Sequence, residues 1–198
     1  MTDAGVALMH IIHLDWVKNL STSTLVFDIA QFFPSLNYHF LTLILRKVGF
    51  DFCIANFFLN YLIGRKMNYF WNGFTSSSLN INVGVGQGSA LSPILSAFYL
   101  LSFFYILEKC LKILKIPISI LSFVDDGLLL SQSKSDSISN FHLFCSYNIA
   151  IILLSKFRLI VEHLKTEVFY FTRSQGFFKP PPLDLSPIGG PILHPKKL

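Results

Sequence analysis

A chain of 198 residues, 52% of them hydrophobic, is long enough to bury a sizeable core and reads as one domain, complete or incomplete. Its net charge of +5 suits a phosphate-bearing partner but is too small to identify one. Cys53, Cys110 and Cys145 are odd in number, widely spaced and set in apolar sequence, which excludes a disulfide framework or zinc site and predicts buried, reduced thiols in an intracellular protein.

In chain order, residues 3 to 20 read as helix, with His10, His13 and Asp15 as ordinary helix residues because no further ligand follows at metal-site spacing. No cationic stretch feeds an apolar segment at the amino terminus, so no secretory signal is expected. Thr24 to Phe27 reads as a strand closing on Asp28. The Pro34-Ser35 punctuation predicts the start of a helix reaching 48, and a second helix runs from 51 to 63 and ends at Gly64. Met67 to Trp71 and Leu79 to Val83 read as strands joined by an Asn-Gly and Ser-rich turn.

Past the glycine-rich stretch Gly84 to Ser89, a long helix is predicted from Ser92 to Leu114. Residues 118 to 131 read as a hairpin of two apolar strands with Asp125-Asp126-Gly127 at its turn. A Ser-rich loop, a helix over 138 to 156 and a strand over 166 to 172 complete the pattern. From 176 the chain is Pro-rich and is expected to be extended or disordered, which divides it into residues 1–175 and 176–198.

A membrane protein is the main competing class, because mean hydropathy is +0.54 and no charged residue occurs from Met67 to Leu107. A span needs about 20 predominantly apolar residues. The uncharged interval is broken by Asn68, Asn72, Ser76 to Ser78, the glycines and Pro93; the remaining run, Ile94 to Leu107, is short and ends at Glu108-Lys109. A buried core helix is therefore expected, and no membrane.

Three carboxylates carry the chemical interest. Asp125 and Asp126 adjoin an apolar hairpin, and Asp28 closes a second apolar strand. Taken singly, each reads as a solvated turn residue or a helix cap. Together they suit a divalent cation: Mg²⁺ takes oxygen ligands and is usually held by one or two carboxylates plus substrate phosphates. Two ions about 3.5–4 Å apart can stabilise both the attacking and the leaving oxygen in phosphoryl transfer. The glycine loop lacks the Gly-Lys-Ser/Thr ending of a P-loop, and Ser89 stands where a dinucleotide fingerprint needs its third glycine. On residues alone it is a plain turn.

The order of Phe-Asp-Ile-Ala-Gln-Phe-Phe-Pro-Ser-Leu (27 to 36), Gly-Gln-Gly-Ser-Ala-Leu-Ser-Pro (86 to 93), Phe-Val-Asp-Asp (123 to 126) and Glu-His-Leu-Lys-Thr-Glu-Val-Phe (162 to 169) resembles the palm of reverse transcriptases, particularly those of non-LTR (LINE-type) retrotransposons. The resemblance implies an α+β fold, a palm-like antiparallel sheet packed on helices, with incomplete fingers and no thumb. It implies template-directed nucleotidyl transfer, with Asp28, Asp125 and Asp126 holding two Mg²⁺ ions for which Mn²⁺ can substitute, and Lys165 assisting the pyrophosphate leaving group. Phe33 would floor the sugar pocket and reject a ribose 2′-hydroxyl, while Gln87 and Gly88 would meet the incoming nucleotide. An RNA template, a DNA primer and deoxynucleoside triphosphates are the implied partners, and the nucleus the implied location for a working element. Missing fingers and primer grip imply a fragment inactive alone. A domesticated nucleic-acid-binding module is the alternative, and a small membrane protein a more distant one. Phe157-Arg158 replaces the glycine often found before the Leu-Ile pair, which puts that turn in doubt.

Overall fold

The computed structural model describes residues 2–81, 84–86, 88–123, 126–173 and 180–196. Its elements in order are α1 (Thr2–Val17), β1 (Ser21–Asp28), α2 (Phe32–Ser35), α3 (Tyr38–Val48), α4 (Phe52–Leu62), β2 (Arg65–Met67), β3 (Phe70–Trp71), β4 (Phe74–Thr75), β5 (Leu79–Ile81) and α5 (Ser92–Ile113). Then follow β6 (Ile118–Phe123), β7 (Asp126–Ser133), α6 (Asp136–Lys156), a 3₁₀ turn (His163–Lys165), β8 (Glu167–Phe171), β9 (Leu183–Asp184), a second 3₁₀ turn (Ser186–Ile188) and β10 (Ile192–Leu193). Helices mixed with antiparallel strands give the α+β class that the sequence predicts. The chain divides into two compact units, one of Met1–Ala30, Phe103–Lys156 and Ile160–Leu198, the other of Gln31–Ser102 and Phe157–Leu159.

The first unit is built on a four-stranded sheet in the order β6-β7-β1-β8, antiparallel throughout. Directly opposed residues share a face, so the register writes the core across the strands. Ile120, Leu129, Leu25 and Val168 lie in one such row, and the last three are fully buried. α6 packs on the sheet and buries Leu143, Tyr147, Ala150 and Leu154. On α1, the buried Asp15 accepts a hydrogen bond from Thr22 Oγ1 at 2.7 Å, which satisfies a carboxylate that would otherwise be costly. Asp15 is thus a tie between helix and strand.

α5 and α6 are each long and apolar enough to cross a membrane by length and composition. α6 is longer than the short apolar run, Ile149 to Leu154, that marks it in sequence. Its apolar residues supply the layer that a sheet needs over one face.

In the second unit, α3 starts at Asn37, whose side chain accepts from Phe40 N at 2.8 Å, and α4 at Asp51, which accepts from Ile54 N at 3.0 Å. Both are N-caps that satisfy otherwise orphaned backbone donors. The helix expected to start at Pro34-Ser35 is therefore two helices. Pro34 belongs to the separate single turn α2, where its fixed φ is tolerated, and the capping Asn37 opens the long one. The two strands predicted over 67–83 are four short ones, β2 pairing with β5 and β3 with β4. Buried Tyr99 donates to the Phe157 carbonyl at 2.6 Å, and burial pushes its phenol up to about 12.

Three further expectations need correction. Cys53 is exposed on α4 and the other two thiols are only half-buried, because an apolar neighbourhood in sequence does not fix which helix face a residue takes. The described part of the Pro-rich segment, 180–196, carries the β9–β10 ladder and buries Leu183, Leu185 and Leu193, so its leucines anchor what composition predicts as extended or disordered. The turn at Arg158 forms despite the missing glycine: Arg158 adopts φ 59°, the left-handed conformation that glycine reaches most cheaply.

Candidate functional site

Asp28 ends β1 and Asp126 begins β7, and the register places them directly opposite one another. Their side chains therefore leave the same face of the sheet, with Cβ atoms about 4.5–5.5 Å apart. Asp126 and Gly127 are strand residues, paired with Phe123 and Ser122, so the expected Asp-Asp-Gly turn is corrected. Two positions, 124 and 125, remain between the strands; they lie outside the described residues, and with them the predicted ligand Asp125.

Chain beyond β1 keeps the strand in line. Ile29 bridges Val161, Ala30 N donates to Ile160 O at 2.8 Å, and Glu162 N donates to Asp28 O at 2.9 Å. That pairing delivers the following 3₁₀ turn to the carboxylate. Lys165 Nζ lies 2.7 Å from Asp28 Oδ2, with the lysine side chain 64% exposed and the aspartate only 18%. A cation thus neutralises Asp28 from within the chain, at a site where two like charges face each other.

Tyr147, on α6, is a site residue that the sequence reading misses. Its buried hydroxyl is 2.9 Å from His163 Nδ1 and 3.0 Å from Thr166 Oγ1, the residues flanking the lysine turn. Burial pushes this phenol up, against the opposing effect of the Thr166 bond. The same ring meets Phe27 edge-on at 5.9 Å. One side chain therefore braces both the residue before Asp28 and the turn that presents Lys165. A lone Tyr in an apolar helix is an ordinary core residue in sequence, and nothing in its spacing points to this contact.

Gly127 stands opposite Phe27, and a Cβ there would lie 2.2 Å from ring atom Cζ. The glycine that reads in sequence as half of a turn is a seat for an aromatic ring. Phe27 is fully buried and Tyr147 blocks its retreat. Gly127→Ala should cost about 1–3 kcal/mol by overpacking. In urea unfolding, Phe27→Leu should be less damaging in the Gly127→Ala background than in the wild type; strict additivity would mean that ring and glycine do not compete for space.

Phe33 and the glycine loop belong to the second unit and come together there. Gly84 N donates to Leu36 O and Val85 N to Phe33 O, both at 2.9 Å, so the loop strand runs along the backbone of α2. Gly84, at φ 74°, lies so close that a Cβ would fall 2.6 Å from Pro34 O. Phe33 is half-buried, its ring 5.3 Å from that of Phe32, which is the buried member of the pair. Gly88 is exposed at φ 88° with open space around it, and Gln87 lies outside the described residues.

The donors fit a divalent cation of the hard, oxygen-seeking kind, since they are two facing carboxylates on one sheet face. Among the described residues no cluster of three or more His, Cys, Asp or Glu is present.

Residues 4–185 match the family model for reverse transcriptase (RNA-dependent DNA polymerase). Comparison with curated proteins gives no match. Among solved structures, telomerase from Candida tropicalis in complex with the TWJ fragment of telomeric RNA is similar at a TM-score of 0.65 and 15% identity, over 89% of this chain and 30% of that one. Apo telomerase from the same organism, truncated from its C-terminal domain, is similar at a TM-score of 0.56 and 14% identity, over 89% of this chain and 36% of that one. The chain thus spans about a third of the length of these telomerases, and the likeness speaks for the fold alone: a palm-like sheet with helices. Reverse transcriptases as a family generally use divalent metals, in keeping with that donor set. A family match running over nearly the whole chain, on a fold of the same kind, makes this protein a member of the reverse transcriptase (RNA-dependent DNA polymerase) family.

Proposed function

We propose that the chain is the palm of a non-LTR retrotransposon reverse transcriptase, and that Asp28, Asp125 and Asp126 hold the divalent cations for nucleotidyl transfer. The observation that carries this reading is the facing of Asp28 and Asp126 across β1 and β7, with Lys165 against the first of them. Bound Mg²⁺ or Mn²⁺ would supply charge neutralisation at the phosphate oxygens. The chain's own groups do the rest. Asp28 and Asp126 fix where positive charge can gather. Lys165 holds Asp28 in the absence of a cation and, largely exposed, can present its ammonium to a leaving pyrophosphate. Tyr147 keeps that lysine in position through the turn.

Phe33, Gln87 and Gly88 carry the nucleotide-binding part of the proposal. A phenyl ring offers the ribose 2′-hydroxyl neither donor nor acceptor, so Phe33 selects against ribonucleotides by shape and by denying a hydrogen bond. Phe33→Val should lower the preference for deoxyribonucleotides by about tenfold or more, measured as the incorporation ratio in primer extension on an RNA template with Mg²⁺. An unchanged ratio would leave Phe33 as a packing residue.

In-line phosphoryl transfer needs the primer hydroxyl held to about 1 Å, and a misplacement of that size costs roughly 10²-fold, so positioning carries much of the proposed catalysis. The second reading, a domesticated module that binds nucleic acid without catalysis, requires that divalent cation leave the protein's stability unaltered.

A further inference from the structure

Residues 70–75 form a hairpin of two short strands, β3 and β4, with Phe70 opposite Thr75 and Trp71 opposite Phe74. Asn72 at φ 44° and Gly73 at φ 80° are its whole turn, the two left-handed residues that an Asn-Gly pair supplies cheaply. Ser76 N donates to Tyr69 O at 2.9 Å and Tyr69 N to Ser76 Oγ at 2.8 Å, which extends the pairing to Tyr69. Phe70, Trp71 and Phe74 are 77%, 76% and 68% exposed, and Asn72 and Gly73 are exposed with them. A two-stranded hairpin that buries so little is marginally stable in water, so this one opens at small cost.

An asparagine followed by glycine carries an intramolecular reaction. The glycine backbone nitrogen attacks the asparagine Cγ, the Cγ–Nδ2 bond breaks, and the proton of the attacking nitrogen leaves with the amide as ammonia. Solvent water then opens the cyclic imide at one of its two carbonyls. Opening at Cγ gives aspartate, and opening at the main-chain carbonyl gives isoaspartate, whose backbone runs through Cβ and Cγ. A side chain on the following residue shields the attacking nitrogen, which glycine leaves bare. Every asparagine of this chain other than Asn72 is followed by Leu, Tyr, Phe, Ile or Val.

The closed turn holds the reacting atoms apart. In the imide ring Cβ and the attacking nitrogen are eclipsed about the Cα–C bond, whereas a left-handed residue has ψ of about +47°, which puts Gly73 N on the far side of that bond from Cβ. Asn72 must therefore leave its well, and the hairpin must open, before the ring can close. Asp126-Gly127 offers a comparison within the same chain, since it can form the same imide with water as the leaving group. There, however, Asp126 is paired with Asp28 on one side and Phe123 on the other, and Gly127 is buried against the Phe27 ring. Ring closure at Asp126 requires the four-stranded sheet to come apart.

We infer that Asn72 is a deamidation site gated by opening of the 70–75 hairpin, and that its isoaspartate product keeps the hairpin from closing again. Isoaspartate inserts an extra carbon into the main chain at a turn whose length fixes the register of the strands. It also hangs a carboxylate in a stretch, Phe52 to Leu107, that holds neither Asp nor Glu. Trp71 and Phe74 then lose their pairing, and the tip of the 65–81 segment changes with the age of the protein. No part of the polymerase reading enters, so the two stand or fall separately.

The test incubates the full chain at neutral pH, folded and in urea, and counts isoaspartate by enzymatic methyl transfer from S-adenosylmethionine, with positions assigned by mass spectrometry. Asn72 should react in the folded protein within about tenfold of its rate in urea, whereas Asp126 should be slowed by more than about 10³-fold, since one needs local and the other wide opening. Asn72→Ser should remove most of the ammonia that the folded protein releases. In the isoaspartyl form, hydrogen exchange at the Ser76 amide, which donates to Tyr69 O, should be at least about tenfold faster than in fresh protein. An Asn72 shielded by folding as strongly as Asp126 would overturn the gate. An isoaspartyl form whose Ser76 amide exchanges as in fresh protein would overturn the effect on the hairpin.

Discussion

Asp28→Asn should silence the protein's response to divalent cations while leaving the fold standing. Asparagine keeps the shape of the side chain and can still accept from Lys165, and a solvent-accessible ion pair of this kind contributes no more than about 1 kcal/mol. What asparagine cannot do is anchor a hard cation with a full negative charge. For the wild type, Mn²⁺ at ten times its dissociation constant should add about 1.4 kcal/mol of stability, a rise of roughly 3–6 °C in Tm for a chain of this size. Asp28→Asn should remove most of that rise and Asp126→Asn a large part of it, whereas Lys134→Ala, away from the carboxylates, should retain it. In primer extension on an RNA template with Mg²⁺ the Asp28→Asn rate should fall by at least about 10³-fold, some 4 kcal/mol of barrier. A melting curve that shifts with Mn²⁺ equally in all four proteins would reduce the two aspartates to strand-end residues.

Gly84→Ala should be the most damaging single-methyl change in the second unit. The new Cβ would fall 2.6 Å from Pro34 O, 2.7 Å from Pro34 Cα and 2.8 Å from Phe33 O, all backbone atoms with no rotamer to retreat into. The left-handed φ of 74° adds a further steric conflict of about 1–2 kcal/mol for any residue with a Cβ. Forcing the loop away from α2 also strains the Val85 N to Phe33 O bond, worth about 1 kcal/mol. Together these come to about 3–5 kcal/mol, a large share of an ordinary stability of about 5–15 kcal/mol. Gly88→Ala is the control. Its φ is equally left-handed at 88° but a Cβ there meets nothing within 4 Å, so only the conformational cost of about 1 kcal/mol applies. Urea midpoints of the two variants within experimental error of each other would show that Gly84 is not wedged against α2.

The legible part of the sequence was the part written in periodicity and order. Apolar strands ending in carboxylates placed Asp28 and the Asp126 strand correctly, and the long helices over 92–113 and 136–156 announced themselves by composition. Register was not legible. An Asp-Gly pair flanked by apolar runs is a common hairpin turn, so the sequence put Asp126 in the turn; the ladder puts it in the strand, where it can face Asp28. Cross-chain contacts were equally hidden. Nothing near Tyr147 in sequence names Phe27, His163 or Thr166, and nothing near Gly84 names Pro34, because these partners are set by the packing of segments far apart in the chain. Arg158 shows the reverse case, where a missing glycine promised a disrupted turn and the backbone took the strained conformation anyway.

The position of β1 in its sheet bears on how the protein is made. β1 leaves the ribosome before the other three strands of its sheet, yet it is central, with β7 beside it on one side and β8 on the other. Its neighbour in the ladder opposite Asp28 lies at Asp126, and the lysine that pairs with Asp28 lies 137 residues downstream. At about 5–20 residues per second, β1 spends on the order of 5–20 s with both edges unpaired before its first partner is synthesised, and longer before its second. An apolar strand with two bare edges is a template for pairing with other chains. Nascent-chain chaperones, low expression temperature or co-translational shielding of residues 21–28 should accordingly govern the yield of this protein more than its equilibrium stability does. Asp28 meets Asp126 only when β7 closes on β1, and Lys165 only after α6 has followed, so a chain interrupted before β7 carries Asp28 with neither of them.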